Sequence, residues 1–254
     1  MEGASWSQGR VIPPLALNNP YHVDRVVLDT VKSLNPAVVA DIGCADGRFA
    51  AALAPCEVVG VELDQSLAEA ARDRCTRLVH GSIEDADTLA ELAASGPFDV
   101  ILAADVVEHL VQPELALRVL GQMLSDNGRL VISVPHLLYY RERLRLVSGR
   151  FETSPRGGLY DRTHLSFFSV AELSGLIERS DLVSDSLIGA GRVRPGGRIG
   201  RWPQPAPTIK GLADRYIAAT ASSLPSLMAT SLIVTAKPRA LGGVIDEPKS
   251  PETH

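Results

Sequence analysis

The chain has 254 residues, 45% hydrophobic and 22% charged, the balance of a soluble globular protein large enough for one substantial core. A net charge of −5 at pH 7 argues against nucleic acid as the main partner, and Cys44, Cys56 and Cys75 are too few, and odd in number, for a disulfide scaffold. No Cys-x-x-Cys or His-x-x-x-His spacing points to a metal, Val11–Leu17 is too short and proline-broken for a targeting segment, and no run reaches the roughly 18 apolar residues of a membrane span, so the expectation is a cytoplasmic protein with neither a metal nor a membrane partner.

The first twenty residues read as an irregular arm. From Tyr21, the spacing Val23, Val26, Val27, Thr30, Val31, Leu34 predicts a helix, ended by Asn35-Pro36 because the residue before proline is pushed out of the α region. A regular alternation follows. The apolar run Val38–Ile42 reads as a strand buried on both faces, and Glu57–Glu62, Arg77–Gly81, Phe98–Ala104 and Arg129–Val134 read as the strands that follow. Between them, Arg48–Ala54, Ser66–Cys75, Ala86–Ala94 and Glu114–Leu124 read as helices, the last opened by Pro113, and Asp126-Asn-Gly128 reads as a turn. This pattern predicts an α/β, doubly wound (Rossmann-like) parallel sheet with helices on both faces. Residues 136–168 then read as an irregular insertion, Ser169–Arg179 as a helix, Ser184–Ile188 as a sixth strand, 189–207 as a Gly/Pro/Arg-rich loop, 208–223 as a helix and Ser226–Ala236 as the last strand. The tail 239–254 is polar and reads as disordered, leaving one domain over 21–238.

Ligands of such sheets bind beyond the carboxyl ends of the strands. Asp41-Ile-Gly-Cys-Ala-Asp-Gly47 lies there, between a strand and a helix, and Glu62 ends the next strand nineteen residues after Gly43, where a carboxylate can accept hydrogen bonds from two ribose hydroxyls. A dinucleotide site and an S-adenosylmethionine site both fit this outline. The dinucleotide fingerprint wants Gly-x-Gly-x-x-Gly, but Ala45 and Arg48 stand at its second and third glycine positions. Asp41 and Asp46 would also repel a pyrophosphate, whereas a cofactor with a cationic amine and a sulfonium suits an acidic turn.

The ordered segments Val39–Gly47, Val59–Glu62, Gly81-Ser-Ile-Glu-Asp85, Phe98–Leu110 and Asn127–Pro135 resemble the successive motifs of class I S-adenosylmethionine-dependent methyltransferases of the bacterial small-molecule type, over residues 36–135. The resemblance implies a seven-stranded, mostly parallel sheet with the last strand antiparallel. It implies that Asp41 and the Gly43, Ala45 and Gly47 backbone hold the methionine end, that Glu62 binds ribose with Leu63 against adenine, that Ser82 and Ile83 lie at the adenine, and that Asp105 and Val106 line the methionyl end. Ala45 departs from a common glycine and Ser82 from a common acid, so adenine recognition falls to backbone groups or to Glu84 or Asp85.

Other readings stand beside these. Asp105 either binds cofactor or caps a short turn over 106–110, and Ser82 is equally a turn residue. Glu108-His109 follows the fourth strand, where a transferred methyl should lie; His109 is either a general base or a structural histidine bonded to a backbone carbonyl. The box Tyr160-Asp-Arg-Thr-His-Leu-Ser-Phe-Phe168 resembles one found in many bacterial small-molecule methyltransferases; it implies that Tyr160 and His164 face the acceptor with Phe167 and Phe168 as anchors. Alternatively Asp161, Arg162 and His164 brace a lid. His136, Tyr139 and Tyr140 are candidates for the acceptor wall, while His22 and His80 read as ordinary surface or core histidines. Residues 141–201 carry eleven arginines, no lysine and seven acids, which suits either an anionic acceptor or a solvated face. The reading is a methyltransferase that moves a methyl from S-adenosylmethionine to an oxygen or nitrogen of a small molecule, with 136–168, the N-terminal helix and 189–207 closing over the acceptor. A cofactor-binding module without transfer activity and an NAD-dependent oxidoreductase are the alternatives. The acceptor and the oligomeric state are not legible in the sequence.

Overall fold

A computed structural model describes residues 14–151, 153, 159–191 and 224–239. In chain order the elements are α1 (Val23–Ser33), β1 (Val38–Ile42), α2 (Arg48–Leu53), β2 (Glu57–Glu62), α3 (Gln65–Ala71), β3 (Arg77–His80), α4 (Ala86–Ala93), β4 (Phe98–Ala104), a 3₁₀ turn (Val107–His109), α5 (Pro113–Gln122), β5 (Leu124–Pro135), α6 (Tyr140–Val147), α7 (Val170–Arg179), β6 (Leu182–Ala190), α8 (Pro225–Met228) and β7 (Ser231–Pro238). The expected doubly wound sheet is present: seven strands in the order β3-β2-β1-β4-β5-β7-β6. β1 to β5 pair in parallel, and β7 runs antiparallel to both β5 and β6.

The near-continuous apolar strands follow from burial on both faces. Ala40, Ile42, Ile101, Ile132 and Val234 join the core formed with α4, α5 and α7. Their neighbours Val39, Val100, Leu102, Val131 and Ile233 join the opposite core, built with α1 and α2. The period-two alternation thus divides one strand between two hydrophobic cores, neither facing water. α3 starts at a side-chain cap: Asp64 accepts from the amides of Ser66 and Leu67.

Several boundaries differ from expectation. β5 begins at Leu124, so Asp126–Gly128 lies within the strand; a register shift opposite Phe98–Val100 absorbs the Asn-Gly pair. α6 occupies part of the insertion expected to be irregular; Tyr140, Leu144 and Val147 recur at helical spacing, but the helix buries none of its residues. Pro225 opens the short α8, which delays the last strand to Ser231. β6 is longer than its apolar stretch because it pairs with β7 along its length. The loop from 192 to 207, the helix expected at 208–223, most of the N-terminal arm and the tail beyond 239 lie outside the described residues.

Candidate active site

The carboxyl ends of β1, β2 and β4 meet at the glycine turn. Gly43 has φ 67° and Gly47 φ 74°, both left-handed, and a Cβ on Gly43 would sit 2.7 Å from Val106 Cγ2. The turn therefore packs against the segment after β4 through the missing side chain. Ala45 adopts φ 52° without glycine's freedom, at a cost of about 1–2 kcal/mol. Glu62 compensates. Its Oε2 accepts from the Ala45 amide at 2.9 Å and its Oε1 from the Asp64 amide at 2.8 Å. Each oxygen keeps a lone-pair direction for a ligand hydroxyl.

Asp41 is 1% exposed, and its Oδ2 has no hydrogen-bond partner among the described residues. Burial first, then the charges of Cys75 and Glu62, push its carboxyl well above the usual range. A cavity of about 240 Å³ opens here, lined by Asp41, Gly43, Ala45, Arg48 and Asp105, with Val23 and Val27 of α1 closing one side. The N-terminal helix, expected from the sequence to help close the acceptor pocket, walls the cavity at Asp41. Asp105 lies at φ 55° and accepts from the Ser133 hydroxyl at 3.1 Å. It does not cap the following turn, whose N-cap is Val106. An acid held in left-handed backbone at a pocket wall is the kind of strain found at binding sites.

One expectation about the turn needs revision. Asp46 does not present a bare charge: Arg48 and Arg74 each bind it at 2.8 Å, and their hydrogen bonds outweigh desolvation to hold its carboxyl below the usual range. The case against pyrophosphate rests instead on the backbone. The amides of Gly43 and Cys44 both donate to Val61 O, that of Ala45 to Glu62 and that of Gly47 to Cys44 O. These amides are already engaged within the fold, where an anion-binding nest would aim them at the ligand.

At the adenine side, Ser82 accepts from the Glu84 amide, as a turn residue does. Glu84 is committed to the amides of Val111 and Gln112 ahead of α5. Ile83 is 5% exposed and packed into the core, whereas Leu63 is 52% exposed and offers open apolar surface beside Glu62.

The insertion returns to the same edge. The amides of Leu165 and Ser166 donate to Glu108 O, fastening the Tyr160–Phe168 box onto the turn after β4. His109 Nδ1 meets Thr163 O at 3.1 Å and His164 Nδ1 meets Leu159 O at 2.9 Å, and the two rings stack edge to face at 4.8 Å. Glu108 is 1% exposed; burial and the neighbouring Asp105 push its carboxyl well above the usual range. Tyr160 is buried against Phe151 and Phe167, with Arg145 over its ring; burial and the Glu142 carboxylate beside its hydroxyl push that hydroxyl's pKa up. Asp161 is a local brace, accepting from the Thr163 amide and hydroxyl.

The other candidates go elsewhere. His136 is buried and tied to the backbone of Ala229 and Thr230, and Tyr139 and Tyr140 pack on each other. His22 caps α1, and His80 meets Leu63 O. Arg143 bonds the carbonyls of Leu138 and Ser226, and Arg145 pairs with Glu142; among the described residues, Arg141 is the α6 arginine with no such bond. Among the described residues no helix is long and apolar enough to cross a membrane.

Comparison with known proteins agrees with this geometry. The model of a methyltransferase-domain family matches residues 18–187. The ubiquinone biosynthesis O-methyltransferase of Bradyrhizobium diazoefficiens is 32% identical over 124 residues, covering 47% of this chain and 49% of that protein. The chain therefore spans about half the length of that relative. The protein of the same description from Xanthomonas oryzae pv. oryzae is 24% identical over 196 residues, covering 72% and 77%. Among solved structures, magnesium protoporphyrin IX methyltransferase from Synechocystis, with SAH bound, superimposes with a TM-score of 0.53 at 14% identity over 85% of this chain and 81% of that one, a likeness of fold. With the sheet order, the glycine turn and the family match in agreement, this chain belongs to the methyltransferase-domain family and has the class I, Rossmann-like methyltransferase fold.

Proposed function

We propose that this chain transfers a methyl group from S-adenosylmethionine to an oxygen or nitrogen of a small molecule, in the cytoplasm. The reading is carried by Asp41, a buried carboxylate with an unpartnered oxygen in a cavity that also holds Asp105. A buried acid with an unpartnered oxygen is costly to ionise unless a cation answers it, and the cofactor's ammonium and sulfonium are such cations. When bound, the cofactor supplies a methyl group activated by its sulfonium.

The residues divide the remaining work. Asp41 would hold the amine, and Glu62, pinned by the Ala45 and Asp64 amides, would receive the ribose hydroxyls. Leu63 would offer apolar surface to the adenine, and the glycine turn would act by its close approach. Asp105 and Val106 would border the methionyl end. Tyr160, His109 and His164 would line the acceptor side, where methyl transfer asks mainly for positioning and exclusion of water. The Bradyrhizobium and Xanthomonas relatives, named as O-methyltransferases, favour oxygen as the acceptor atom. The acidic net charge supports a small molecule over nucleic acid, and the free cysteines Cys44, Cys56 and Cys75 fit a reducing compartment.

Methyl-labelled S-adenosylmethionine added with the protein to cell extract should label a metabolite, identified by its mass. Label entering protein or nucleic acid instead would refute the small-molecule acceptor. Calorimetry showing no binding of S-adenosylmethionine would refute the cofactor.

A further inference from the structure

We propose that Glu108, His109 and His164 form a site for one divalent transition-metal ion, which takes the acceptor's hydroxyl oxygen as a further ligand. The second half of this inference rests on the function proposed above; the metal site itself does not. One ligating atom from each of the three residues lies within 4.8 Å of the other two, and His164 Nε2 stands 4.0 Å from Glu108 Oε1.

Glu108 is 1% exposed and neither carboxylate oxygen has a hydrogen-bond partner among the described residues. A buried carboxylate in that state calls for a cation. The histidines are arranged as metal-binding imidazoles usually are: each turns Nδ1 to a backbone carbonyl, which orients the ring and makes Nε2 the nitrogen that would face an ion. The backbone holds both halves together, because the Leu165 and Ser166 amides donate to Glu108 O. The cluster is thus built from the turn after β4 and from the insertion, three residues along from the cavity wall at Asp105.

Two imidazoles and one carboxylate suit zinc, iron(II), cobalt or manganese better than magnesium or calcium. Two ligands on a tetrahedral ion stand roughly 3.3 Å apart, so binding would draw Glu108 and His164 together by less than an ångström. Three protein ligands leave coordination positions open. A hydroxyl oxygen bound there is acidified, its proton passing to bulk water, and the oxygen is held as a nucleophile beside the cofactor pocket. His109 and His164 then act as ligands and not as general bases.

The test is titration of the untagged, chelator-treated full chain with Co²⁺, followed by visible absorption and calorimetry. One ion per chain should bind, with d–d bands of a four- or five-coordinate histidine site, and at least tenfold more weakly in Glu108→Gln and His164→Ala. Absence of the bands in the wild-type chain would overturn the site, as would equal affinity in variants that circular dichroism shows to be folded. The wild-type result decides the matter if a variant fails to fold. Titration with S-adenosylhomocysteine in the same samples separates the two proposals. Cofactor binding without Co²⁺ binding removes the metal site alone, and the reverse removes the functional reading but leaves the site standing.

Discussion

The backbone amide of Ala45 donates to Glu62 Oε2 at 2.9 Å, joining the strained glycine turn to the acid at the end of the next strand. One carboxylate thus holds the turn in shape and waits for the ribose. Glu62→Ala should weaken S-adenosylmethionine binding at least tenfold, about 1.4 kcal/mol. It should also destabilise the free protein by about 1–3 kcal/mol, because the Ala45 and Asp64 amides lose their acceptor. Calorimetry and chemical denaturation measure the two effects; unchanged stability would mean the amides find other partners.

The turn's two strained positions should respond in opposite senses. Gly43→Ala places a methyl 2.7 Å from Val106 Cγ2 at φ 67°, and should cost about 1–3 kcal/mol. Adding Val106→Ala should relieve the clash but not the backbone strain, so the double variant recovers only part of the loss. Ala45→Gly removes left-handed strain at φ 52° and should leave stability equal or raised by up to about 1 kcal/mol. Urea midpoints of the four proteins test this.

Asp41 should trade stability for binding. Its folded pKa is raised, first by burial, so its contribution to stability is fully present below the unfolded value and is lost as pH rises through the folded one. Asp41→Asn should therefore raise the melting temperature of the free protein at neutral pH and lower cofactor affinity tenfold or more. A cationic ligand favours the ionised acid, so wild-type affinity should increase as pH rises through this raised pKa, and the Asn variant should lose that dependence. A melting temperature that falls in the variant would contradict the account.

Asp46 has the opposite sign. Desolvation works against its charge, but Arg48 and Arg74 prevail and its pKa is lowered, so its stabilisation is present above the unfolded value and is lost as pH falls through the folded one. Asp46→Asn should reduce stability at neutral pH and flatten the acid limb of the stability curve. Cofactor affinity should change less than for Asp41→Asn, since the Asp46 charge is already answered by the two arginines. Melting curves between acid and neutral pH, with calorimetry at neutral pH, check both statements.

Tyr160 offers a separation of packing from chemistry. Its buried hydroxyl makes no hydrogen bond of full geometry among the described residues and has only the Glu142 carboxylate beside it, so Tyr160→Phe should change stability by no more than about 1 kcal/mol. Tyr160→Ala empties the ring site between Phe151 and Phe167 and should cost about 3–5 kcal/mol. If the hydroxyl meets the acceptor, Tyr160→Phe should lower methyl transfer without altering cofactor binding.

What the sequence determined by itself was whatever repeats locally. The apolar runs at β1, β2, β4 and β5 announce strands because burial on both faces demands hydrophobic residues at every position. The cofactor side was legible for a related reason: Asp41, Gly43, Gly47 and Glu62 sit at strand ends at fixed spacing, and the parallel sheet brings all strand ends of one sense to a single edge. What only the tertiary structure decided concerns groups whose state depends on distant neighbours. Asp46 reads as a bare charge until Arg74 folds over it from beyond α3. α6 carries apolar residues at helical spacing, Tyr140, Leu144 and Val147, yet buries none of them among the described residues. The grouping of Glu108, His109 and His164 was not legible because local motifs were the only ones in view; the three meet only after the insertion folds back and the Leu165 and Ser166 amides close on Glu108 O. Chain distance hides such clusters, since nothing in a linear pattern records which loops the sheet will bring to one edge.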